Sequence, residues 1–356
     1  MKKLLWMLAS FAFITSCSSD DEEYNAEGGN TQPEEEVVYA TDDTEYEIPV
    51  VFHVFYSIQR DSLEYIKEGH LPKVLEAVNR RFANCGVDLK LSFKLAEVDP
   101  QGNAMPEPGV DRQKVRVATL NSTDFLKDSA YAHYMWDQTK YLNICLFKEK
   151  NAAVLGISSF PYTLHPDTLA GMPKLMEPIS VNELDYPHCV YVNSRYIYDL
   201  EPENYKTSEI VGSLCHEIAH YLGLRHAFGE DPVTYSRDCD IDTDFCEDTP
   251  TYNKSKYDSY LLSNYPYNGV FTPELVEQLA WRTNSVTGER FVSTNIMDYA
   301  VSYLNTLSPQ QCERIRYILM RSPYVPGPKV KREDHAAAAP ARSAGKKFVF
   351  PHRIAY

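Results

Sequence analysis

The sequence has no surplus of positive charge. Its 356 residues include 35 Lys and Arg against 50 Asp and Glu, and the formal net charge is −15. Because proteins that bind nucleic acid present a basic face to the phosphates, this balance argues against a nucleic-acid partner. The eight cysteines form no CxxC pair, so neither a redox motif nor a zinc ribbon is indicated. What remains is a long chain with 44% hydrophobic residues, enough for a large folded core.

The apolar stretch at the N-terminus is too short for a membrane-spanning helix. Residues 4–14 follow Lys2 and Lys3, and about 11 apolar residues do not cross roughly 30 Å of hydrocarbon. This layout is typical of a secretory signal peptide. It ends in Ile-Thr-Ser-Cys, which resembles a bacterial lipobox and predicts acylation of Cys17. The alternative is an ordinary signal peptide with a chance cysteine.

An acidic segment follows the signal peptide. Residues 18–47 contain twelve Asp and Glu and no Lys or Arg, a composition that favours disorder. The run at 18–23 resembles the export tag of surface lipoproteins in Bacteroidetes-type bacteria, and it also suits a solvated tether. We therefore expect an outer-membrane lipoprotein, exposed at the cell surface and held in the membrane through Cys17. The expected organisation is a lipoprotein signal peptide (1–16), an acidic disordered tether (17–44), one folded domain (45–325) and a flexible basic tail (326–356).

Within the folded domain, strand-type runs alternate with helical patterns. Apolar residues recur at helical spacing in 71–82 and 208–222, which predicts two long helices. Runs rich in β-branched and aromatic residues predict strands at 48–55, 87–95, 141–147, 155–161 and 189–192. This alternation predicts one mixed sheet packed by the two helices.

Residues 216–226 read HExxHxxGxxH. Residues four apart share a helix face, so His216 and His220 can point at one metal ion. Gly223 can end the helix with a positive φ and let the chain return with His226. Three neutral imidazoles suit Zn²⁺ and leave a fourth position for water, which Glu217 can reach as the general base. The alternative, a zinc site without catalysis, is disfavoured because structural sites usually close that fourth position.

The histidine pattern is the signature of metzincin peptidases, which also need a downstream Met-turn. Met297, 71 residues after His226, is the candidate, and it would pack beneath the metal. Tyr299 follows two residues later and could stabilise the oxyanion; the alternative is a packing tyrosine. Residues 18–44 contain no cysteine, which excludes a cysteine switch in that segment.

The chain resembles the pappalysin or cytophagalysin branch of the metzincins over residues 45–325. The resemblance rests on the zinc helix, on Asp248-Thr249-Pro250 and on Met297-Asp298-Tyr299. It implies an α+β metzincin (zincin-like) catalytic domain: a mixed, mostly parallel twisted sheet with an antiparallel edge strand, an active-site helix and a C-terminal subdomain with the Met-turn. It also implies that the segment around Gly156, Ile157 and Ser158 is the edge strand that pairs with an extended substrate.

The loop after the zinc helix is rich in acidic residues. The resemblance suggests a structural Ca²⁺ near Asp244, Asp248 and Thr249, since that ion prefers oxygen ligands. A solvated acidic loop is the alternative, and both stay open. Cys239 and Cys246 are close enough in sequence to form a disulfide within this loop, while the other cysteines cannot be paired from sequence.

We therefore predict a secreted, lipid-anchored, monomeric zinc endopeptidase that acts on proteins or peptides. One alternative is a catalytically latent or inactive zinc-binding surface lipoprotein that binds proteins. The intact Glu217 and the three histidines argue against it. The other alternative is a zinc hydrolase for a non-peptide amide, which the edge-strand resemblance disfavours.

Overall fold

The computed structural model describes residues 39–181, 184–200 and 205–331, together with the backbone of residues 352–355. The expected signal peptide, with Cys17, lies outside the described residues, as does the tether up to residue 38. The helices are α1 (Ser62–Tyr65), α2 (His70–Ala83), α3 (Ser122–Phe125), α4 (Ile210–Tyr221), α5 (Lys254–Asn264), α6 (Pro273–Leu279) and α7 (Pro309–Arg321). The strands are β1 (Tyr46–Tyr56), β2 (Leu91–Leu95), β3 (Val110–Lys114), β4 (Thr119–Leu120), β5 (Leu142–Glu149), β6 (Gly156–Ser159), β7 (Thr163–Leu164), β8 (Lys174–Leu175), β9 (Val190–Asn193), β10 (Trp281–Thr283), β11 (Arg290–Val292) and β12 (His352–Ala355).

Eight of the described strands form one sheet in the order β12-β6-β9-β5-β1-β2, with β3 beside β1 and β4 beside β5. The strands from β9 to β2 are parallel to their neighbours, whereas β6 runs antiparallel to β9. This confirms the mixed, mostly parallel sheet with an antiparallel strand on one side. The expected edge strand, however, has a further antiparallel strand, β12, on its outer side.

The sheet is buried on both faces. In β1, Phe52 and Val54 belong to the main core, while Phe55 packs in a second cluster with Phe147 and Tyr191. A parallel strand covered on both faces needs apolar residues at successive positions, which explains the continuous run in β1. The helices α2 and α4 supply much of the main core, and they contact each other.

Both predicted long helices are confirmed. In α2 the residues at helical spacing, among them Leu71, Val78 and Phe82, are buried. Every residue of α4 is buried, and Glu209 caps its N-terminus by accepting from the N–H groups of Val211 and Gly212. Because α4 contacts β6 and β9, the zinc helix is held directly against the antiparallel side of the sheet.

Two sequence expectations are corrected. Of the strand predicted at 87–95, only β2 (Leu91–Leu95) forms. The preceding residues make a turn instead, because Lys90 has φ +48° and donates its N–H to Asp88. The folded part also continues past residue 325: Tyr46 donates to the carbonyl of Pro328, and Lys329 donates to the carbonyl of Leu319. In the described part of the chain, no helix is long and apolar enough to cross a membrane.

Candidate active site

Helix α4 and the turn after it bring the three histidines together. His216 and His220 lie one helical turn apart on α4. Gly223 has φ +90°, which glycine adopts without strain, and its N–H donates to the carbonyl of His220 at 2.9 Å. The ligand atoms of His216, His220 and His226 all lie within 4.8 Å of one another, and the three side chains are buried. The Nε2 atoms of His220 and His226 are 3.1 Å apart.

The outer nitrogen of each imidazole faces an acceptor. Nδ1 of His216 lies 2.7 Å from the carbonyl oxygen of Ile296, and Nδ1 of His220 lies 2.8 Å from that of Leu224. Nδ1 of His226 lies 3.4 Å from a carboxylate oxygen of Glu230. A ring that donates from Nδ1 keeps its lone pair on Nε2, so the inner nitrogens of His216 and His220 are set up as ligands.

The donor set fits a zinc ion. Nε2 of His216 is buried and has no hydrogen-bond partner, a costly state unless a ligand takes it up. Burial lowers the pKa of His216 to about 4, so the ring is neutral near pH 7, as metal binding requires. Tetrahedral zinc with bonds of about 2.0–2.1 Å needs ligand nitrogens about 3.3 Å apart, close to the His220–His226 separation.

Glu217 follows His216 on α4, and its side chain packs against β6. Its side chain is fully buried. A Cβ at Gly156 would come within 2.6 Å of Glu217 Cγ and 2.9 Å of its Oε1. Glycine at position 156 is thus what lets this carboxylate lie against the sheet. The Glu217 side chain therefore lies directly against Gly156, the first residue of the expected edge strand.

The Met-turn candidate lies under the histidines. Met297 is fully buried, and its carbonyl accepts from the N–H of Ala227, next to His226. The ring of Tyr299 is 4.8 Å from that of His226 and 5.6 Å from that of His216, measured between centroids. The structure thus brings both residues to the metal site.

A buried polar network that sequence reasoning missed anchors this turn. Asp298 accepts hydrogen bonds from Tyr252 and Ser293, and one of its oxygens lies 3.7 Å from Nε of Arg282. The guanidinium of Arg282 in turn lies 3.4 Å from the ring centroid of Tyr257. These residues are 46 or fewer positions apart in sequence but follow no periodic pattern, so no spacing could have identified them.

A cavity of about 250 Å³ opens beside His216. Its lining includes Tyr299, Leu304 and Gly212, together with Arg81 from α2 and Glu209. The last two form a salt bridge at 2.8 Å. Burial raises the pKa of Glu209 although Arg81 opposes this shift. The lining of the cavity therefore includes an ion pair, which sequence reasoning also missed.

The acidic loop differs from expectation in its cysteines. All seven cysteines of the described residues are free thiols, Cys239 and Cys246 included, so the expected disulfide is not formed. Cys246 is buried, with its Sγ 3.7 Å from the carbonyl oxygen of Asp244, and burial raises its thiol pKa to about 12. The loop is held instead by hydrogen bonds.

Those hydrogen bonds use the oxygens expected to bind calcium. Asp244 accepts from the Thr249 hydroxyl at 2.5 Å and from the Cys246 N–H at 2.8 Å. Asp248 accepts from the Ser308 hydroxyl and from the N–H of Gln310, at the start of α7. Among the described residues, only the three histidines form a group of metal-ligating side chains that lie close enough together to share one ion. The calcium site stays a prediction.

The fold and the histidine site define a zinc-dependent metallopeptidase, and comparisons specify the family. Residues 125–320, more than half of the chain, match the peptidase M43 model, described as pregnancy-associated plasma protein-A. The chain therefore belongs to the M43 (pappalysin) family of metzincins and is a zinc metalloendopeptidase that acts on proteins or peptides. A comparison with curated proteins finds no match.

Solved structures show the same fold. Mature mirolysin of Tannerella forsythia, in complex with a cleaved peptide, superposes with a TM-score of 0.52 at 20% identity, covering 78% of this chain and 92% of that one. Mirolysin in complex with a compound gives a TM-score of 0.50 at 22% identity, covering 76% and 91%. At these identities the likeness establishes the architecture.

Proposed function

We propose that this protein is a lipid-anchored zinc endopeptidase of the cell envelope in which Glu217 is the general base. The observation that carries the catalytic part is the Glu217 side chain packed against Gly156 of β6, on the helix that supplies two of the three clustered histidines. A peptide paired with β6 would have its backbone beside this carboxylate.

The chain's own residues then have distinct roles. Zinc held by His216, His220 and His226 supplies Lewis acidity and lowers the pKa of water. Glu217 accepts a proton from the attacking water and passes it to the nitrogen of the leaving amine. The Tyr299 hydroxyl donates a hydrogen bond to the scissile carbonyl oxygen as negative charge develops there.

The same geometry supports a proposal for the substrate-binding surfaces. The backbone of Gly156, Ile157 and Ser158 pairs with an extended substrate by strand addition. The cavity beside His216 receives a substrate side chain next to the scissile bond, and the pair Arg81 and Glu209 is part of its lining. Such a pocket favours an uncharged side chain, because its own charges already neutralise each other.

The test of this function is Glu217→Gln beside Glu277→Gln, a matched change of an exposed glutamate on α6. Glutamine cannot accept the proton, so kcat on a peptide library should fall by about 10²–10⁴-fold. Zinc content, measured by metal analysis, should stay at the wild-type value, and the Glu277 variant should keep its activity. Wild-type cleavage by the Glu217 variant would remove Glu217 from the mechanism. A folded wild type that binds zinc and cleaves nothing would favour the binding-protein alternative.

The proposed membrane anchor rests on the Ile-Thr-Ser-Cys sequence at Cys17. Several acyl chains on one residue give stable anchoring. In cells fed a labelled fatty acid, the wild type should carry the label and fractionate with outer membranes. Cys17→Ala should lose both properties. Label retained in this variant would contradict acylation at Cys17.

A further inference from the structure

The outer side of β6 is paired with a segment from the chain's own C-terminal part. The backbone of His352–Ala355, strand β12, runs antiparallel to β6, with residue 352 opposite Ser159 and residue 355 opposite Gly156. On its other side β6 pairs with β9. Both hydrogen-bonding sides of β6 are therefore in use.

The position of β12 relative to the site is informative. It contacts α4, the helix that carries His216 and Glu217. Its last residue lies opposite Gly156, whose Cα faces the Glu217 side chain. The segment therefore runs along the cleft towards the general base, as an extended polypeptide bound for cleavage would.

An incoming peptide has no other place on this strand. A strand has one row of N–H and C=O groups on each side, and β9 uses the inner row of β6. Strand addition by a substrate needs the outer row, which β12 uses. A substrate and β12 therefore exclude each other at Gly156, Ile157 and Ser158.

We propose that residues 352–355 are an intramolecular ligand of the substrate cleft, which competes with peptide substrates for β6. This inference rests on the proposed function, since it takes β6 as the substrate strand. A segment joined to its binding site by the same chain has an effective concentration of about 1 mM. With an intrinsic Kd of about 0.1–1 mM, the apparent KM is raised by about 2- to 10-fold.

The kinetic test compares residues 18–356 with a truncation after residue 351, using an internally quenched peptide. The truncation should lower KM by about 2- to 10-fold, because the competing segment is gone. The value of kcat should stay unchanged, because saturating substrate displaces the segment from the full-length protein as well. Intact mass measured at the end of each assay verifies that the tail is still attached.

Proline variants distinguish the effect of losing the β12–β6 pairing from the effect of shortening the chain. Proline has no N–H for a ladder. The full-length double variant Arg353→Pro with Ile354→Pro should therefore behave as the truncation does. The matched control, Ser343→Pro with Ala344→Pro, changes the tail outside the paired residues and should keep the full-length KM.

A second readout does not depend on activity. Hydrogen exchange of residues 156–159 is measured in Glu217→Gln backgrounds, where the tail is not cut. Exchange should be faster in the truncated protein, because the amides on the outer side of β6 lose their partners. Equal exchange in the two proteins, or an unchanged KM in an active enzyme, overturns the proposal. Faster exchange after truncation, combined with no peptidase activity in the protein that keeps Glu217, supports tail binding but refutes the proposed function.

Discussion

At the scale of single residues, each zinc ligand faces a partner that lies outside helix α4. The carbonyl of Ile296 faces His216, that of Leu224 faces His220, and Glu230 faces His226. Two of these partners come from the turn after α4, and the third from the Met-turn. The metal site is therefore preorganised by contacts that bridge the helix and the C-terminal part of the domain.

Tyr299 provides a test of oxyanion stabilisation. We expect Tyr299→Phe to lower kcat by about 10- to 100-fold with little change in KM, because the lost hydrogen bond forms mainly in the transition state. The measurement is steady-state kinetics at constant zinc content. Tyr260→Phe, a change of a half-exposed tyrosine on α5, is the control. Equal activity of both variants would make Tyr299 a packing residue.

Arg81 provides a test of side-chain selection. In Arg81→Met, Glu209 loses its salt-bridge partner and becomes an acceptor for a cation in the cavity. We expect the ratio of kcat/KM for basic over apolar side chains to rise about tenfold, which corresponds to about 1.4 kcal/mol. Cleavage profiling on a peptide library measures this. Arg80→Met, a change of the exposed neighbour on α2, should keep the wild-type profile. An unchanged profile for Arg81→Met would place the selecting pocket elsewhere.

At the scale of elements, the acidic loop shows how a buried carboxyl group supports a turn. Asp244 is 3% exposed, and burial, reinforced by Asp242, raises its pKa to about 7. The folded protein thus holds this proton more tightly than the unfolded chain, whose value is about 3.9. The stability that the protonated carboxyl contributes is present at low pH and is lost as pH rises through about 7.

The variant Asp244→Asn tests this pH dependence of stability, in a buffer that contains EDTA to remove metal ions. Asparagine carries no charge to desolvate, so the variant should gain stability over the wild type as pH rises from 5 to 8. The gain is about 2 kcal/mol, or roughly 5 °C in Tm. Thermal unfolding at both pH values measures it, with the exposed loop variant Glu247→Gln as control. A pH-independent difference would contradict the raised pKa.

The same two proteins test the calcium prediction. If calcium binds at Asp244, the ion will raise the Tm of the wild type and leave Asp244→Asn unchanged, because a neutral amide is a weaker ligand for a hard cation. No shift in the wild type at millimolar calcium would favour the alternative, a solvated acidic loop.

At the scale of the whole molecule, zinc should couple the helix, its following turn and the Met-turn. If zinc binds only the folded state, it raises the free energy of unfolding by RT ln(1 + [Zn]/Kd). This gain is about 4 kcal/mol when the free zinc concentration is 1,000 times Kd. We therefore expect EDTA to lower Tm by roughly 10 °C, and zinc to restore it. His216→Ala should lose this response, whereas the exposed His133→Ala should keep it. A wild-type Tm that does not change when zinc is removed or added would contradict a metal held by all three histidines.

Much of the architecture follows from local pattern. The two long helices appear within two residues of their predicted bounds, because each carries an apolar stripe at helical spacing that must be buried. Helix α7 was missed although Ser308 and Gln311 form a capping box, a local motif that is readable in sequence. The strand at 87–95 was predicted too long because the turn at Lys90 depends on its contact with Asp88.

The sequence by itself determined the histidine site, since the i and i+4 spacing and Gly223 act through local backbone geometry. It also determined the family and the class of reaction. Only the tertiary structure decided what lies around that site: Arg81 against Glu209, Arg282 beside Asp298, and β12 beside β6. These contacts join residues 16 to more than 190 positions apart, and packing of the folded chain selects such pairs without leaving a periodic pattern in the sequence.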